Sequence, residues 1–169
     1  NNEKDNLKKF SNAAYKAYPE IYYFANIKSA LQREENDIYG SLSTLKNFFN
    51  KYNNGSALSD LAELHSNMGN PEKGIGLYEE KYKKEPYGIG FLNKIIKYYY
   101  DANQYSKASE LIKLKIATFP YSGDSWNELG LVYEQLKLEK EATDAFKKAL
   151  YYEPNDYSIR RKLRQISKK

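Results

Sequence analysis

The one histidine of the chain is the first candidate for acid–base or metal chemistry. The 169-residue sequence holds His65 and no cysteine. A metal site or a nucleophile–histidine–carboxylate set needs several such groups at defined positions, and no motif supplies companions for His65. Its place in an apolar helical pattern indicates a packed helix residue. We therefore predict no catalytic residue, no metal site and no bound cofactor.

A glycine-containing segment, residues 69–74, is the second candidate because it resembles a phosphate-binding loop. It reads GNPEKG, without the GK[ST] ending and without a preceding strand. We interpret it as a turn in which Gly69 ends one helix and Pro71 begins the next. Neighbouring acids such as Glu79 and Glu80 are typical of exposed helix faces. No assembled chemistry remains, and we predict that the protein is not an enzyme.

The elements that position these residues follow a 34-residue period, which is marked by prolines and by small residues upstream of them. The prolines are Pro86, Pro120 and Pro154, and the small residues are Gly74, Ala108 and Ala142. A proline ends a helix because it lacks an amide donor and disfavours helical dihedrals at the preceding residue. The period predicts three helix-pair repeats at 55–88, 89–122 and 123–156.

The third repeat carries a full set of small and aromatic residues. They are Trp126, Leu129, Gly130, Tyr133, Ala142, Phe146, Ala149 and Pro154. This pattern and its period resemble the tetratricopeptide repeat (TPR) family. The resemblance implies an all-α, TPR-type α-solenoid of antiparallel helix pairs. Gly130 and Ala142 are small where the two helices of a pair approach closely.

The other parts of the chain fit the pattern less fully. Ile96 replaces a small residue, and Lys81 and Lys115 occupy alanine positions, which predicts looser packing. Residues 1–54 are interpreted as one truncated repeat and one degenerate repeat at 21–54. Residues 157–169 are interpreted as a basic capping helix with Asp156 as its N-cap. We expect about ten helices, no sheet and one continuous array.

The first helix of each TPR pair lines a concave groove in this family, so the resemblance implies a set of groove residues. By position we predict a protein-binding or peptide-binding groove that includes Tyr22, Ser59, Glu63, Asn93, Lys97, Tyr100, Asn127, Leu131 and Glu134. Ala25 and Ser29 are placed in the same lining. Asn93 and Asn127 occupy equivalent positions, and an asparagine side chain offers both donors and an acceptor to a peptide backbone.

One ligand class known for TPR proteins is not expected. Some co-chaperones of the family hold the carboxylate end of chaperone tails with lysine, arginine and asparagine. The corresponding positions here are Ser59, Glu63, Lys94, Asp124 and Glu128. Three of them are acidic and would repel a carboxylate. We expect no such tail as the partner, and the acids favour a partner with some positive charge.

The net charge of +5 is concentrated at the C-terminus. Residues 157–169 carry no acid and six basic residues, namely Arg160, Arg161, Lys162, Arg164, Lys168 and Lys169. A cap places cations near a helix C-terminus, where the helix dipole favours them. A binding tail would instead give weak, salt-sensitive association with nucleic acid or anionic lipid. We favour the cap because no nucleic-acid motif accompanies the charge.

The leading hypothesis is a non-catalytic protein–protein interaction module, or scaffold, that binds a peptide segment or partner protein in the groove. One alternative is an accessory TPR segment of a larger enzyme or membrane-associated lipoprotein, and another is an anionic-surface binder acting through the basic tail. Self-association through exposed end repeats is a further possibility. The chain as given is predicted to be soluble, with no signal peptide or transmembrane segment. A segment upstream stays open, and no compartment is predicted.

Overall fold

The computed structural model describes residues 2–166 of the chain. Within this range the protein forms ten α-helices and no strand, which confirms the all-α prediction. The helices are Asn2–Ala17 (α1), Tyr22–Glu34 (α2), Ile38–Tyr52 (α3), Gly55–Asn67 (α4), Pro71–Lys84 (α5), Ile89–Asp101 (α6), Tyr105–Thr118 (α7), Gly123–Gln135 (α8), Glu139–Tyr152 (α9) and Tyr157–Ile166 (α10). None of these helices combines the length and the apolar character that crossing a membrane requires.

The periodic prolines lie between helices, as their chemistry predicts. Pro86 lies between α5 and α6, Pro120 between α7 and α8, and Pro154 between α9 and α10. Helices α4 and α5 fall within residues 55–88, α6 and α7 within 89–122, and α8 and α9 within 123–156. The repeat boundaries and the continuity of the array stay predictions.

A residue with left-handed backbone dihedrals follows each of α2, α4, α6 and α8. These residues are Asn36, Gly69, Asn103 and Lys137, with φ angles of 63°, 76°, 57° and 60°. Glycine adopts this conformation freely and asparagine adopts it at a small cost, whereas lysine is unusual there. Gly69 closes α4 and Pro71 begins α5, so the interpretation of residues 69–74 as a turn is confirmed.

The chain divides into two compact units, Asn1–Tyr78 and Glu79–Lys169. In the first unit, each of the helices α1 to α4 packs against the next. Its core contains Leu45, Phe48 and Leu61, none more than 2% exposed. A hydrogen bond of 2.7 Å joins the buried hydroxyls of Ser29 and Ser41 and fixes α2 against α3. Pairing the two hydroxyls avoids the cost of burying an unsatisfied polar group.

The second unit packs each of α6 to α10 against the next. Leu92, Ile112 and Leu129 are buried in one apolar cluster between α6, α7 and α8. A second cluster forms between α9 and α10, where Phe146 and Ile159 are at most 1% exposed. Burial of side chains of this size contributes about 1.5–3 kcal/mol each to folding.

Small residues allow close helix contacts within both units. In the second unit, a Cβ atom at Gly130 of α8 would lie 2.5 Å from Cε1 of Phe146 on α9. In the first unit, a Cβ atom at Gly74 of α5 would lie 2.5 Å from the carbonyl oxygen of Ala62 on α4, whereas Gly76 faces open space. Real Cβ atoms do not approach other atoms so closely, so glycine is required at positions 74 and 130.

Helix α10 caps the second unit. Asp156 Oδ1 accepts hydrogen bonds from the amides of Ser158 at 2.8 Å and Ile159 at 3.1 Å, which confirms the predicted N-cap. Leu163 and Ile166 pack beside Ile159, while Arg160 and Arg164 are exposed. The helix therefore buries one apolar stripe and presents a polar outer face, as a terminal helix of a repeat protein must.

The two lysines at alanine positions are buried, and the expectation that they loosen the packing stays a prediction. The side chains of Lys81 and Lys115 are each 6% exposed. Their ammonium groups pair with Glu85 at 2.5 Å and Glu128 at 2.7 Å. A lysine reaches such a place because its long apolar stem packs in the interior while its charge finds a carboxylate.

Candidate functional site

The predicted groove residues lie on four helices, two in each unit. Helix α2 carries Tyr22, α4 carries Ser59 and Glu63, α6 carries Asn93, Lys97 and Tyr100, and α8 carries Asn127, Leu131 and Glu134. The structure brings four of them to one cavity in the second unit.

This cavity has a volume of about 300 Å³, lies between α6 and α8 and reaches down to α7. It is lined by Asn93, Ile96, Lys97, Tyr100, Asp101, Ile112, Glu128, Leu131 and Val132. We refer to it as the α6/α8 cavity. The predicted members are Asn93, Lys97, Tyr100 and Leu131. Its size is at the lower end of the range for sites that bind small molecules or single side chains.

The floor of the α6/α8 cavity is apolar. Ile96, Ile112 and Val132 are buried in the core of the unit and present their edges to the cavity. Tyr100 forms one wall, and its ring packs edge-on against Tyr105 with centroids 5.4 Å apart. That contact restricts the Tyr100 ring.

The rim of the α6/α8 cavity carries charges that are paired within the protein. Lys97 Nζ lies 2.8 Å from Oδ2 of Asp101, one turn along α6. Glu128 accepts a hydrogen bond of 2.7 Å from the buried Lys115. Each charged side chain of the rim is therefore paired with one of opposite sign, and the partner of Glu128 is the buried Lys115.

Two further groove candidates on α8 do not line this cavity. Glu134 Oε2 pairs with Lys162 of α10 at 2.9 Å. The side-chain oxygen of Asn127 is buried and has no hydrogen-bond partner among residues 2–166. Glu128, one of the acids that favoured a positively charged partner, also pairs with a lysine, so both Glu128 and Glu134 are compensated inside the fold.

In the first unit, Tyr22 belongs to a hydrogen-bonded group. Asp60 Oδ2 accepts hydrogen bonds from the hydroxyl of Tyr22 and from the side-chain amide of Asn26. Burial of the phenol, followed by its hydrogen bond to Asp60, raises the pKa of Tyr22 well above its usual value. The ring packs against Phe48 at 5.4 Å between centroids. Tyr22 thus holds α2 to α3 and α4.

Ala25 and Ser29, placed in the groove lining by the sequence, are buried. Both are 0% exposed, because Ala25 packs against Phe48 and Ser29 bonds to Ser41. The prediction that they face a ligand was wrong. The repeat period alone predicted that this side of α2 is exposed, whereas in the structure it packs against α3.

The remaining candidates of the first unit are Ser59 and Glu63. Ser59 is half-buried on α4, and Glu63 is exposed. Glu63 lines a polar cavity of about 240 Å³ together with Arg33, Asp60, Leu64 and Asn67. This polar cavity offers little apolar surface for an anchoring side chain.

No family model matches the sequence. The structure resembles MamA residues 41-end from Desulfovibrio magneticus RS-1, with a TM-score of 0.61 and 16% identity, covering 85% of this chain and 82% of that one. It resembles the C-terminal part of a TPR repeat-containing protein from Cytophaga hutchinsonii at a TM-score of 0.66 and 18% identity, covering 94% and 63%. It also resembles the first TPR of Spaghetti (RPAP3) bound to an HSP90 peptide. The TM-score is 0.55 and the sequence identity is 20%, and the match covers 66% of this chain and 88% of that one.

The chain has the TPR fold. The repeat signature of residues 123–156 and the TPR neighbours agree, so the predicted TPR-type architecture is confirmed. The TPR chain is also 28% identical over 102 residues, 60% of its length, to the general transcriptional corepressor trfA of Dictyostelium discoideum. The match spans 7% of that protein's length.

The TPR chain has one histidine, and it is half-buried on α4. Burial, with the nearby Lys73 and Lys46, lowers the pKa of His65. Among residues 2–166 there is no group of three or more histidine, cysteine, aspartate or glutamate residues that could hold a metal ion.

Two cations of the basic tail are used inside the TPR fold. Arg160 donates a hydrogen bond to the carbonyl oxygen of Pro154, and Lys162 pairs with Glu134. These contacts support the interpretation of α10 as a cap. Lys168 and Lys169 lie outside the described residues.

The sequence did not identify the apolar members of the α6/α8 cavity. Ile96 and Ile112 were assigned to the helix-pair core, and they do pack there. The available signal was Ile96 itself, a bulky side chain at a position that is usually small. Asp101 could have been found as the residue one turn after Lys97.

Proposed function

We propose that this protein is a non-catalytic interaction module that binds a peptide segment of a partner protein at the α6/α8 cavity. TPR folds generally mediate protein–protein interaction, and one neighbour, the first TPR of RPAP3, is bound to an HSP90 peptide. The single observation that carries the proposal is the cavity of about 300 Å³ with four groove candidates around an apolar floor.

The floor and wall define the anchor. Ile96, Ile112, Leu131 and Val132 would enclose one aliphatic or aromatic side chain, and Tyr100 would pack against its flank. Burying such a side chain contributes about 1.5–3 kcal/mol. Aromatic residues in well-packed pockets are often the positions at which truncation costs most affinity.

The polar rim defines what surrounds the anchor. Asn93 is exposed at the cavity edge, where its amide can donate to and accept from an extended peptide backbone. Lys97 and Asp101 pair with each other, as do Glu128 and Lys115. A peptide with an apolar anchor and no strong net charge therefore fits this rim better than a strongly charged tail.

A peptide-display selection against the intact chain tests the proposal. We expect enriched peptides to share an apolar anchor residue, and Tyr100→Ala to weaken their binding at least tenfold. Lys97→Glu should weaken binding by breaking the pair with Asp101 and placing two acids together. The matched control is Tyr98→Ala, which changes a half-buried tyrosine of the same helix outside the cavity lining.

The salt dependence of peptide affinity is a second test of the proposal. Because the rim charges are paired, the affinity for selected peptides should fall less than about threefold between low and moderately high salt. If the selected peptides bind the Tyr100→Ala variant as tightly as the unchanged protein, or lose most of their affinity in salt, they bind at a site other than the α6/α8 cavity.

A further inference from the structure

A separate cavity lies in the first unit, among α1, α2 and α3. Its volume is about 470 Å³. Its charged and aromatic lining consists of Tyr15, Lys16, Lys28, Phe48, Lys51 and Tyr52. We refer to it as the lysine cavity. No groove candidate from the sequence lines it, and the peptide-binding proposal does not depend on it.

The charge of the lysine cavity has one sign. Three lysines line it, and none of its lining residues is an aspartate or glutamate. Within residues 2–166, none of Lys16, Lys28 and Lys51 forms an ion pair with a carboxylate. Other lysines of the same unit do so, since Lys4 pairs with Glu34 and Lys8 with Glu35. The cavity is therefore lined by three cations of this unit that have no carboxylate partner within residues 2–166.

Aromatic rings hold two of the ammonium groups at the cavity. Lys28 Nζ lies 4.7 Å from the ring centroid of Tyr15, and Lys51 Nζ lies 5.2 Å from that of Tyr52. A cation over a ring face is attracted without being neutralised. These ring contacts place the ammonium groups of Lys28 and Lys51 at the cavity without a carboxylate partner.

The rest of the lining supplies neutral donors and a firm floor. Phe48 is 1% exposed at the base, and the side chains of Asn12 and Asn47 line the sides. Burial, followed by the neighbouring Tyr52, raises the pKa of Tyr15. The ammonium, amide and phenol groups of the lining are donors that an oxyanion with several acceptor oxygens would accept hydrogen bonds from.

We propose that the lysine cavity binds the phosphate group of a phosphate monoester. A dianion would be attracted by the three lysines that line the cavity and would accept hydrogen bonds from their ammonium groups. The same group occurs on small soluble molecules, such as glycerol 3-phosphate, and on the headgroup of phosphatidic acid. The two sources are separated experimentally.

The test is an amide NMR titration of the full chain with inorganic phosphate and with glycerol 3-phosphate, each matched against sodium chloride of equal ionic strength. We expect saturable shifts confined to residues of α1, α2 and α3. Lys16→Gln, Lys28→Gln and Lys51→Gln should each weaken binding about tenfold, since each removes a charge-assisted hydrogen bond. Lys28→Arg should retain binding because it keeps the cation over Tyr15.

Two controls remove a lysine from the same helices without touching the cavity. Lys9→Gln on α1 and Lys46→Gln on α3 should leave affinity within about twofold of the unchanged protein, and circular dichroism verifies that every variant stays helical.

A parallel arm measures sedimentation with phosphatidylcholine vesicles with and without phosphatidic acid. Binding to phosphate and glycerol 3-phosphate identifies a soluble ligand, and binding only to phosphatidic acid vesicles identifies the headgroup. Absence of binding in all arms, or equal losses in the control variants, overturns the proposal.

Discussion

The ammonium group of Lys115 lies 2.7 Å from Oε2 of Glu128, but 6% of the lysine side chain is exposed against 41% of the glutamate side chain. The pair joins α7 to α8. Its two members have unequal access to water, so removing one is not equivalent to removing the other. Loss of the glutamate leaves an ammonium group in the interior, whereas loss of the lysine leaves a carboxylate that water reaches.

Glu128→Gln should lower the free energy of unfolding by about 2 kcal/mol. Breaking a fully buried pair costs about 3–5 kcal/mol, and we expect a smaller loss here because Glu128 is partly solvated. Lys115→Met, which keeps the apolar stem, should change it by less than about 0.5 kcal/mol. Urea denaturation measures both. The control Glu110→Gln removes an exposed acid of α7. Equal losses for Glu128→Gln and Lys115→Met would contradict the asymmetry.

Two glycines of α5 should respond in opposite directions to alanine. Gly74→Ala places a Cβ atom 2.5 Å from the carbonyl oxygen of Ala62, which is backbone and cannot move aside. We expect a loss of about 1–3 kcal/mol. Gly76→Ala meets nothing within 4 Å and should gain about 0.5–1 kcal/mol from the smaller entropy loss on helix formation. Thermal and urea unfolding of the two variants provide the comparison, and a gain at position 74 would refute the close contact.

Tyr99 should ionise only at unusually high pH. Its hydroxyl donates a hydrogen bond of 2.6 Å to Glu79 Oε1, and this bond, followed by burial, raises the pKa of Tyr99 to about 12. A raised pKa stabilises the folded protein below the unfolded value near 10 and loses that contribution as pH rises toward 12. The absorbance titration of the unchanged protein minus that of Tyr99→Phe should show a midpoint near 12. A midpoint near 10 would mean that the hydrogen bond does not persist in solution.

The cap of α10 should control the stability of that helix more than of the whole unit. Asp156→Ala removes the acceptor for the amides of Ser158 and Ile159, at a cost of about 1 kcal/mol. Hydrogen exchange should accelerate in α10 first, because its protection depends on one apolar stripe. The adjacent Asn155→Ala serves as the control and should leave exchange unchanged. Uniform acceleration across α6 to α10 would show that α10 does not open independently.

Local backbone chemistry made most of the fold predictable. Pro86, Pro120 and Pro154 end helices through properties of the residue itself, so their spacing reported the helix boundaries directly. Gly130 was also informative because it occupies a position of the repeat pattern that is usually small, and there a Cβ atom would clash with Phe146. The Asp156 cap needed only the amides that follow it in sequence.

Contacts between residues distant in sequence were less predictable. Glu128 and Glu134 look like free acids in the sequence, but their lysine partners lie 13 and 28 residues away. Ala25 and Ser29 fit an exposed helix face by periodicity, and the actual rotation of α2 against α3 buries both. Periodicity gives the repeat, but each helix's rotation follows from the side chains that meet across it.

The cavities depended on the same non-local geometry. The sequence placed Asn93, Lys97, Tyr100 and Leu131 on one surface, because equivalent positions of successive repeats share a face. It gave no sign that Lys16, Lys28 and Lys51 converge, since they come from three helices of the least regular part of the chain.

The turn at Lys137 has a practical consequence. Asn36, Gly69 and Asn103 meet the left-handed dihedrals with residues suited to them, whereas Lys137 adopts a φ of 60° with a full side chain. Lys137 lines neither the α6/α8 cavity nor the lysine cavity. Because these residue types adopt left-handed dihedrals at lower cost, we expect a glycine or asparagine at position 137 to raise the midpoint of thermal unfolding while leaving the lining of both cavities unchanged.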